Sequence, residues 1–390
     1  MSDGVDFVIV GGGPAGLSAA RAYRAAGGEG EVAILTDENR VPYNRPPLTK
    51  ELLRGELDEA ELLIEEEAWL VEKRIGVIGG RAVDLDAERR TVTLSGLREL
   101  GYRTCLLATG AEPVRLALPG ADDPAVGVIR SIDHVRDLLR RVSPQDAVIV
   151  IGSGFIGCEI AASLRRRGHA EVTLISDETA PNAARLGDDA AQRVLEWLHE
   201  AGVTVRLGTG VERIGRRDGM VEVVAGETRA SASAVVMATG VAPRGELAML
   251  AGLPLAGGAI PVGADMRTAA ASVLAAGDVC FAVNATAGRA LRVEHWGDAL
   301  GQGEVAGQVA AGHETEWSAV PGFWSTIGSH TVKFAAWGDG FDVTRPDDHG
   351  DGAFTAWYGR DGRIVGVLAH EADDDYERGR SLIEAGAPWR

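Results

Sequence analysis

Cysteine, lysine and long apolar runs are all scarce in this chain of 390 residues, and each shortage removes a class of function. Three cysteines, Cys105, Cys158 and Cys280, cannot build a disulfide framework, and no two are spaced as a Cys-x-x-Cys redox pair. Three scattered thiols also fall short of the four that an iron–sulfur cluster takes, and no other metal site is expected. They read as small buried apolar residues. Lysine stands only at 50, 73 and 333, so arginine carries nearly all the positive charge. A net charge of −18 argues against nucleic acid or an anionic membrane as partner. The apolar run Phe7 to Val10 stops at Gly11, and Met1 to Asp6 holds no basic segment. Neither a signal peptide nor a membrane span is expected, and the reading is a cytoplasmic protein.

What the chain has is glycine, placed twice in the same pattern. Gly11-x-Gly13-Pro14-Ala15-Gly16 follows a strand-like run, opens a helical stretch and leads to Val32-Ala33-Ile34-Leu35-Thr36-Asp37. About 140 residues later, Gly152-x-Gly154-Phe155-Ile156-Gly157 leads to Val172-Thr173-Leu174-Ile175-Ser176-Asp177. In each copy the glycines allow a tight turn, close approach of backbone to a pyrophosphate, and close packing of helix on strand. The acid some twenty residues on suits a ribose diol. A third echo pairs Leu107-Ala108-Thr109-Gly110 with Met237-Ala238-Thr239-Gly240. Two dinucleotides in one chain imply electron transfer between a nicotinamide and a flavin.

Alternating apolar runs and amphipathic stretches predict an α/β protein with two Rossmann-like dinucleotide-binding domains. The first would span 1–112 and resume at 241–312, and the second, 113–240, would be inserted in it. From about 315 to 390 the character changes to a small α+β domain rich in aromatics, Trp317, Phe323, Trp324, Phe334 and Trp337, most of them core. Gly359-Arg360-Asp361-Gly362 predicts a hairpin with an Asp-Gly turn, and a helix is expected from about Asp374 to Ala385. The acidic run Glu371 to Asp375 suits a solvated helix start. Asp278 ends an apolar strand, where an acid needs hydrogen bonds that ribityl hydroxyls could supply; a structural N-cap is the alternative.

Arg45-Pro46-Pro47-Leu48-x-Lys50, Ala108-Thr109-Gly110-Ala111-Glu112-Pro113, Gly154-Phe155-Ile156-Gly157-x-Glu159, Ala276-Gly277-Asp278 and Arg292-Val293-Glu294-His295-Trp296 occur in one order. In them the chain resembles the FAD-dependent ferredoxin reductases of the glutathione-reductase superfamily, the rubredoxin, putidaredoxin and oxygenase-coupled type. The resemblance implies that Ala15, Asp37, Lys50, Val83, Arg130, Asp278 and Trp296 contact FAD, with Arg45 near its phosphate or adenine part. It also brings Lys50 and Glu159 together beside the isoalloxazine; without it both read as solvated surface residues. Relatives that use NADH often carry glutamate where Ser176 stands. Asp177 still sets a negative charge where a 2′-phosphate would lie, so NADH is favoured over NADPH.

The implied activity takes hydride from NAD(P)H to FAD and passes single electrons to a ferredoxin or rubredoxin-type protein serving a cytochrome P450 or Rieske oxygenase. A direct NADH-dependent reductase of a quinone, disulfide or peroxide would use the same core, although no cysteine lies between Val41 and Lys50. An NADH-sensing flavoprotein resembling the apoptosis-inducing-factor branch is the other alternative. Arg289, Arg292 and Lys333 are the basic candidates for docking an acidic ferredoxin, and the protein is read as a monomer or homodimer. Phe323-Trp324-Ser325 continues with Thr326 to His330 where relatives commonly have Asp-Gln, so the acceptor face is expected to differ.

Overall fold

The computed structural model describes residues 4–390; Met1 to Asp3, part of the N-terminal segment read for a signal peptide, lie outside the described residues. No helix among the described residues is long and apolar enough to cross a membrane. The fold is α/β, and the duplication seen in the glycines extends to its topology. Strand Val5–Val10 pairs in parallel with Val32–Thr36 on one side and Arg98–Leu107 on the other, and Ile75–Gly79 extends the first edge. Strand Val148–Ile151 repeats this with Val172–Ile175 and Ala234–Met237, and Thr204–Arg206 takes the place of Ile75–Gly79. Fully buried strands such as Val148–Ile151 read as unbroken apolar runs because helices cover both faces of a parallel sheet.

Each parallel sheet also carries an antiparallel meander in the same position. Ala82–Asp86 pairs with Thr91–Leu94, which pairs with the long strand Arg98–Leu107 that follows; Arg213–Arg217, Met220–Ala225 and Thr228–Ala232 precede Ala234–Met237. Val273–Ala275 then returns to the first sheet, pairing Cys105 to Leu107. Helix Trp296–Ala310 also comes back, packing against Pro14–Ala25. The closeness of that contact requires glycine: a Cβ at Gly303 would fall 2.3 Å from the Ala15 carbonyl oxygen, and one at Gly307 2.2 Å from that of Ala19.

Gly322 to Glu384 forms a five-stranded antiparallel sheet backed by helix Asp373–Glu384. Strands Ala353–Arg360 and Arg363–His370 meet at the expected hairpin, with Asp361 and Gly362 both at positive φ, the signature of a type I′ turn. One aromatic departs from its expected place. Trp317 is buried in the core of the first sheet, not in the third unit, because after helix Trp296–Ala310 the chain runs back beside the strands of 260–291; its backbone N–H donates to the Ala264 carbonyl and its carbonyl accepts from the Ala285 N–H. Trp324 is 46% exposed.

The helix contact gives a paired prediction. Gly303→Val forces two helix backbones apart and is expected to destabilise the protein by about 1–3 kcal/mol. Gly301, in the same helix, has nothing within 4 Å of a built Cβ, so Gly301→Ala should stabilise by about 0.5–1 kcal/mol. Chemical denaturation of both variants checks the two signs.

Candidate functional site

The two glycine loops are built alike. Gly11 (φ 128°) and Gly152 (φ 106°) pass so close to the next strand that a Cβ would lie 2.0 Å from Ala108 O and 2.4 Å from Ala238 O. At Gly16 and Gly157 it would strike the carbonyls of Gly11 and Gly152. The middle glycines differ: at Gly13 and at Gly154 a Cβ would meet nothing within 4 Å. Each loop therefore presents bare backbone to open space. Helices Pro14–Ala25 and Phe155–Arg167 start there with no side-chain cap, leaving first-turn N–H groups for an anion. These loops fit two pyrophosphates.

At the end of each second strand the side chains alternate. Thr36 and Ser176 are buried, Asp37 and Asp177 exposed, and Glu38 and Glu178 turn back inward. Among the described residues Asp37 pairs only with Arg244, at 3.5 Å, so it stays open to a ribose. Glu38 accepts from Tyr43 Oη and from Arg45, both at 2.6 Å, and Arg45 also donates to the Arg130 carbonyl at 2.7 Å. Arg130 in turn pairs with Asp278 at 2.8 Å. Asp278 therefore meets a guanidinium, a partner that its position at a strand end did not reveal. Burial pushes the Tyr43 hydroxyl well up, keeping it a neutral donor.

Lys50 and Glu159 come together at 3.0 Å, and both are buried, at 6% and 2% exposure. The resemblance found this pair; composition alone read both residues as solvated. The carboxylate also accepts from Thr49 Oγ1 at 2.5 Å, Ser325 Oγ at 2.7 Å and the Thr326 N–H at 3.2 Å. Thr49 and Ser325 were missed as partners of this carboxylate: Ser325 falls in the Phe323-Trp324-Ser325 pattern and Thr49 in the Arg45 to Lys50 motif, but neither pattern tells that the hydroxyl meets a carboxylate more than a hundred residues away. Three rings follow in a row: Phe155, after Gly154, meets Phe323 edge-on with ring centroids 4.8 Å apart, and Phe323 meets His295 at 4.7 Å, next to Trp296 at the start of its helix.

The structure gives the Thr-Gly echo a different use. Strands Ala111–Pro113 and Val241–Pro243 cross antiparallel, and the two copies bind each other reciprocally. Thr109 Oγ1 donates to Arg244 O at 2.8 Å and Thr239 Oγ1 to Val114 O at 2.7 Å, while Val114 N–H donates to Gly240 O and Arg244 N–H to Gly110 O, both at 2.9 Å. Val83 stands 43% exposed at a bulge, where the ladder leaves its backbone unpaired. Ile156 is half exposed at the mouth of the second loop. The basic docking candidates are each neutralised: Arg289 by Asp339, Arg292 by Glu294 at 2.8 Å, Lys333 by Asp373 at 2.7 Å. All three cysteines are buried, and burial pushes their thiols far above the ordinary range.

Comparison with known proteins agrees with this geometry. Residues 5–303 match the pyridine nucleotide-disulphide oxidoreductase family and 322–390 the reductase C-terminal family. The chain is 33% identical to the ferredoxin reductase component of a chlorobenzene dioxygenase from Cupriavidus sp. (strain PS12), over 97% of this chain and 92% of the relative. It is 32% identical to rhodocoxin reductase of Rhodococcus erythropolis, over 98% and 90%. Among solved structures, a ferredoxin reductase for the CYP199A2 system of Rhodopseudomonas palustris superposes with TM-score 0.93 at 28% identity, covering 98% of this chain and 96% of that one. The reductase of a covalent putidaredoxin reductase–putidaredoxin complex superposes with TM-score 0.92 at 26% identity, covering 98% and 94%. The chain belongs to the pyridine nucleotide-disulphide oxidoreductases, in the ferredoxin-reductase group that carries the reductase C-terminal domain.

Proposed function

We propose that this protein is an FAD-dependent NADH:ferredoxin reductase of an oxygenase system, acting in the cytoplasm. The observation that carries the proposal is the buried Lys50–Glu159 pair in a chain that also carries two bare glycine loops. In this reading FAD lies over 1–112 and 241–312, the nicotinamide coenzyme over 113–240, and 315–390 faces the electron acceptor. The return of Val273–Ala275 to the first sheet supports the division. FAD, when bound, takes hydride from the reduced nicotinamide and gives electrons singly to an iron–sulfur protein.

The chain's own part is positioning. Gly11, Gly13 and Gly16 hold one pyrophosphate, and Gly152, Gly154 and Gly157 the other. Asp37 takes a ribose, while Asp278 and Arg130, with Trp296 and Val83, bound the rest of the flavin site. Lys50 holds a cation in a dry place, where it favours negative charge developing on its neighbour; Glu159 fixes its direction. Phe155 and Phe323 keep water out. The acids after Ile175 favour NADH by repelling a 2′-phosphate.

Three outcomes test this reading. The purified protein should be yellow, releasing about one FAD per chain on heating, be bleached by NADH, and recover its colour fastest with a one-electron iron–sulfur acceptor. Release of FMN, a colourless protein that FAD does not reconstitute, or a flavin that stays reduced for long periods in air and with every ferredoxin of the source would refute it. The native protein should leave all three thiols unreactive to a disulfide reagent at pH 8. Replacing Cys105, Cys158 and Cys280 together should keep NADH–ferricyanide activity within about tenfold; loss of turnover in a folded, FAD-loaded variant would restore a disulfide-reductase reading. Finally, Glu159→Leu should cost about 3–5 kcal/mol, because it strands the buried Lys50 charge. Adding Lys50→Met should recover part of that stability in a denaturant titration, as an ion pair but not a packing site requires.

A further inference from the structure

We infer that Glu178, rather than Asp177, is the residue that recognises the ribose diol of the nicotinamide coenzyme on this chain. The inference rests on the reading of Gly152 to Gly157 as the NADH loop. Past the end of strand Val172–Ile175 the side chains still alternate. Ser176 and Glu178 therefore face the glycine loop, and Asp177 faces the other way, exposed and with no hydrogen bond or ion pair among the described residues.

The hydrogen bonds fix Glu178 against the loop itself. Ser153, the residue between Gly152 and Gly154, is 1% exposed and donates to Glu178 Oε2 at 2.6 Å; its hydroxyl lies 2.9 Å from that of Ser176. The Asn182 N–H donates to the same Oε2 at 3.1 Å, and Asn182 Nδ2 donates to the Ser153 carbonyl at 3.2 Å. Asn182 can close this ring because it sits in the left-handed region, at φ 58°. The carboxylate is thus held by one oxygen, while Oε1 has no hydrogen-bond partner among the described residues. Its anchor Ser153 stands between Gly152 and Gly154 in the loop, and the open side of Gly154 is where the coenzyme backbone would pass.

This arrangement accounts for the serine at 176. A glutamate there would need the space that Glu178 occupies above Ser153. With a short, buried serine in place, the carboxylate is supplied from two residues further along and anchored by the Ser153 hydroxyl and the Asn182 N–H, while Ser176 Oγ accepts from the Glu178 backbone N–H at 3.3 Å. A carboxylate with one oxygen anchored and one free accepts a diol through charge-assisted bonds and repels a 2′-phosphate at short range. Asp177 contributes only a solvent-screened charge.

Calorimetry on the FAD-loaded protein tests this with ADP-ribose and 2′-phospho-ADP-ribose, which read the adenosine half without turnover. Glu178→Ala should weaken ADP-ribose by about ten- to a hundredfold. Glu178→Gln, nearly isosteric and still able to bond Ser153, should narrow the preference for ADP-ribose over the 2′-phospho probe by about tenfold. Asp177→Asn should change either affinity by less than about threefold. The inference is overturned if Asp177→Asn costs as much as Glu178→Ala. It is equally overturned if both Glu178 variants stay within threefold of wild type, or if they weaken both probes in parallel, as a collapsed loop would. A wild type that binds neither probe and is not bleached by NADH removes the underlying reading as well; bleaching by NADH with the wrong variant pattern removes only the assignment of Glu178.

Discussion

One buried carboxylate ties the molecule together. Glu159 sits on the helix of the second glycine loop, takes Thr49 and Lys50 from the segment that follows the first, and takes Ser325 and Thr326 from the C-terminal sheet. A carboxylate so far from water is tolerated only with its lone pairs filled, and here three parts of the chain must dock correctly to fill them. The apolar core around it has the same composition: Leu48 and Leu53 pack with Ile160 and Leu164 and with Phe334 and Tyr358 of the third unit. Docking and site assembly are therefore one event.

The second constraint is the crossing at Ala111–Pro113 and Val241–Pro243. Because the Thr-Gly segments are copies, each supplies the same threonine hydroxyl and the same glycine carbonyl to the other, and the chain passes between cassettes through two matched links. The crossing also gives the recurrence of Thr109, Gly110 and Gly240 a structural role, since the threonine hydroxyl and the glycine carbonyls join the two links.

Charge works locally against the overall balance. The chain is strongly acidic, and the cations proposed for docking are each paired with an acid, so an acidic electron carrier meets no free basic patch at those three residues. Such exposed pairs are weak and salt-sensitive, and a partner's carboxylate can exchange with them at small cost. The strong electrostatics is instead buried at Lys50–Glu159, with a half-buried contact at Arg130–Asp278.

The sequence by itself determined the cassettes, because a phosphate cradle needs glycine at fixed spacing and a buried parallel strand needs an unbroken apolar run; both are local demands. The Asp361-Gly362 hairpin and the last helix were legible for the same reason. What sequence could not decide was which polar residues share a buried site. Lys50 and Glu159 look like surface residues until the fold removes their water, and no local pattern tells that the hydroxyls of Thr49 and Ser325 meet the same carboxylate. Asp177 and Glu178 are adjacent and chemically alike, and only the alternation of the strand end, with Ser153 waiting on one side, separates their environments. Trp317 was misplaced because its aromatic neighbours in sequence belong to a different core. Tertiary structure decided these cases because burial and pairing are properties of contacts distant along the chain, and local pattern does not encode them.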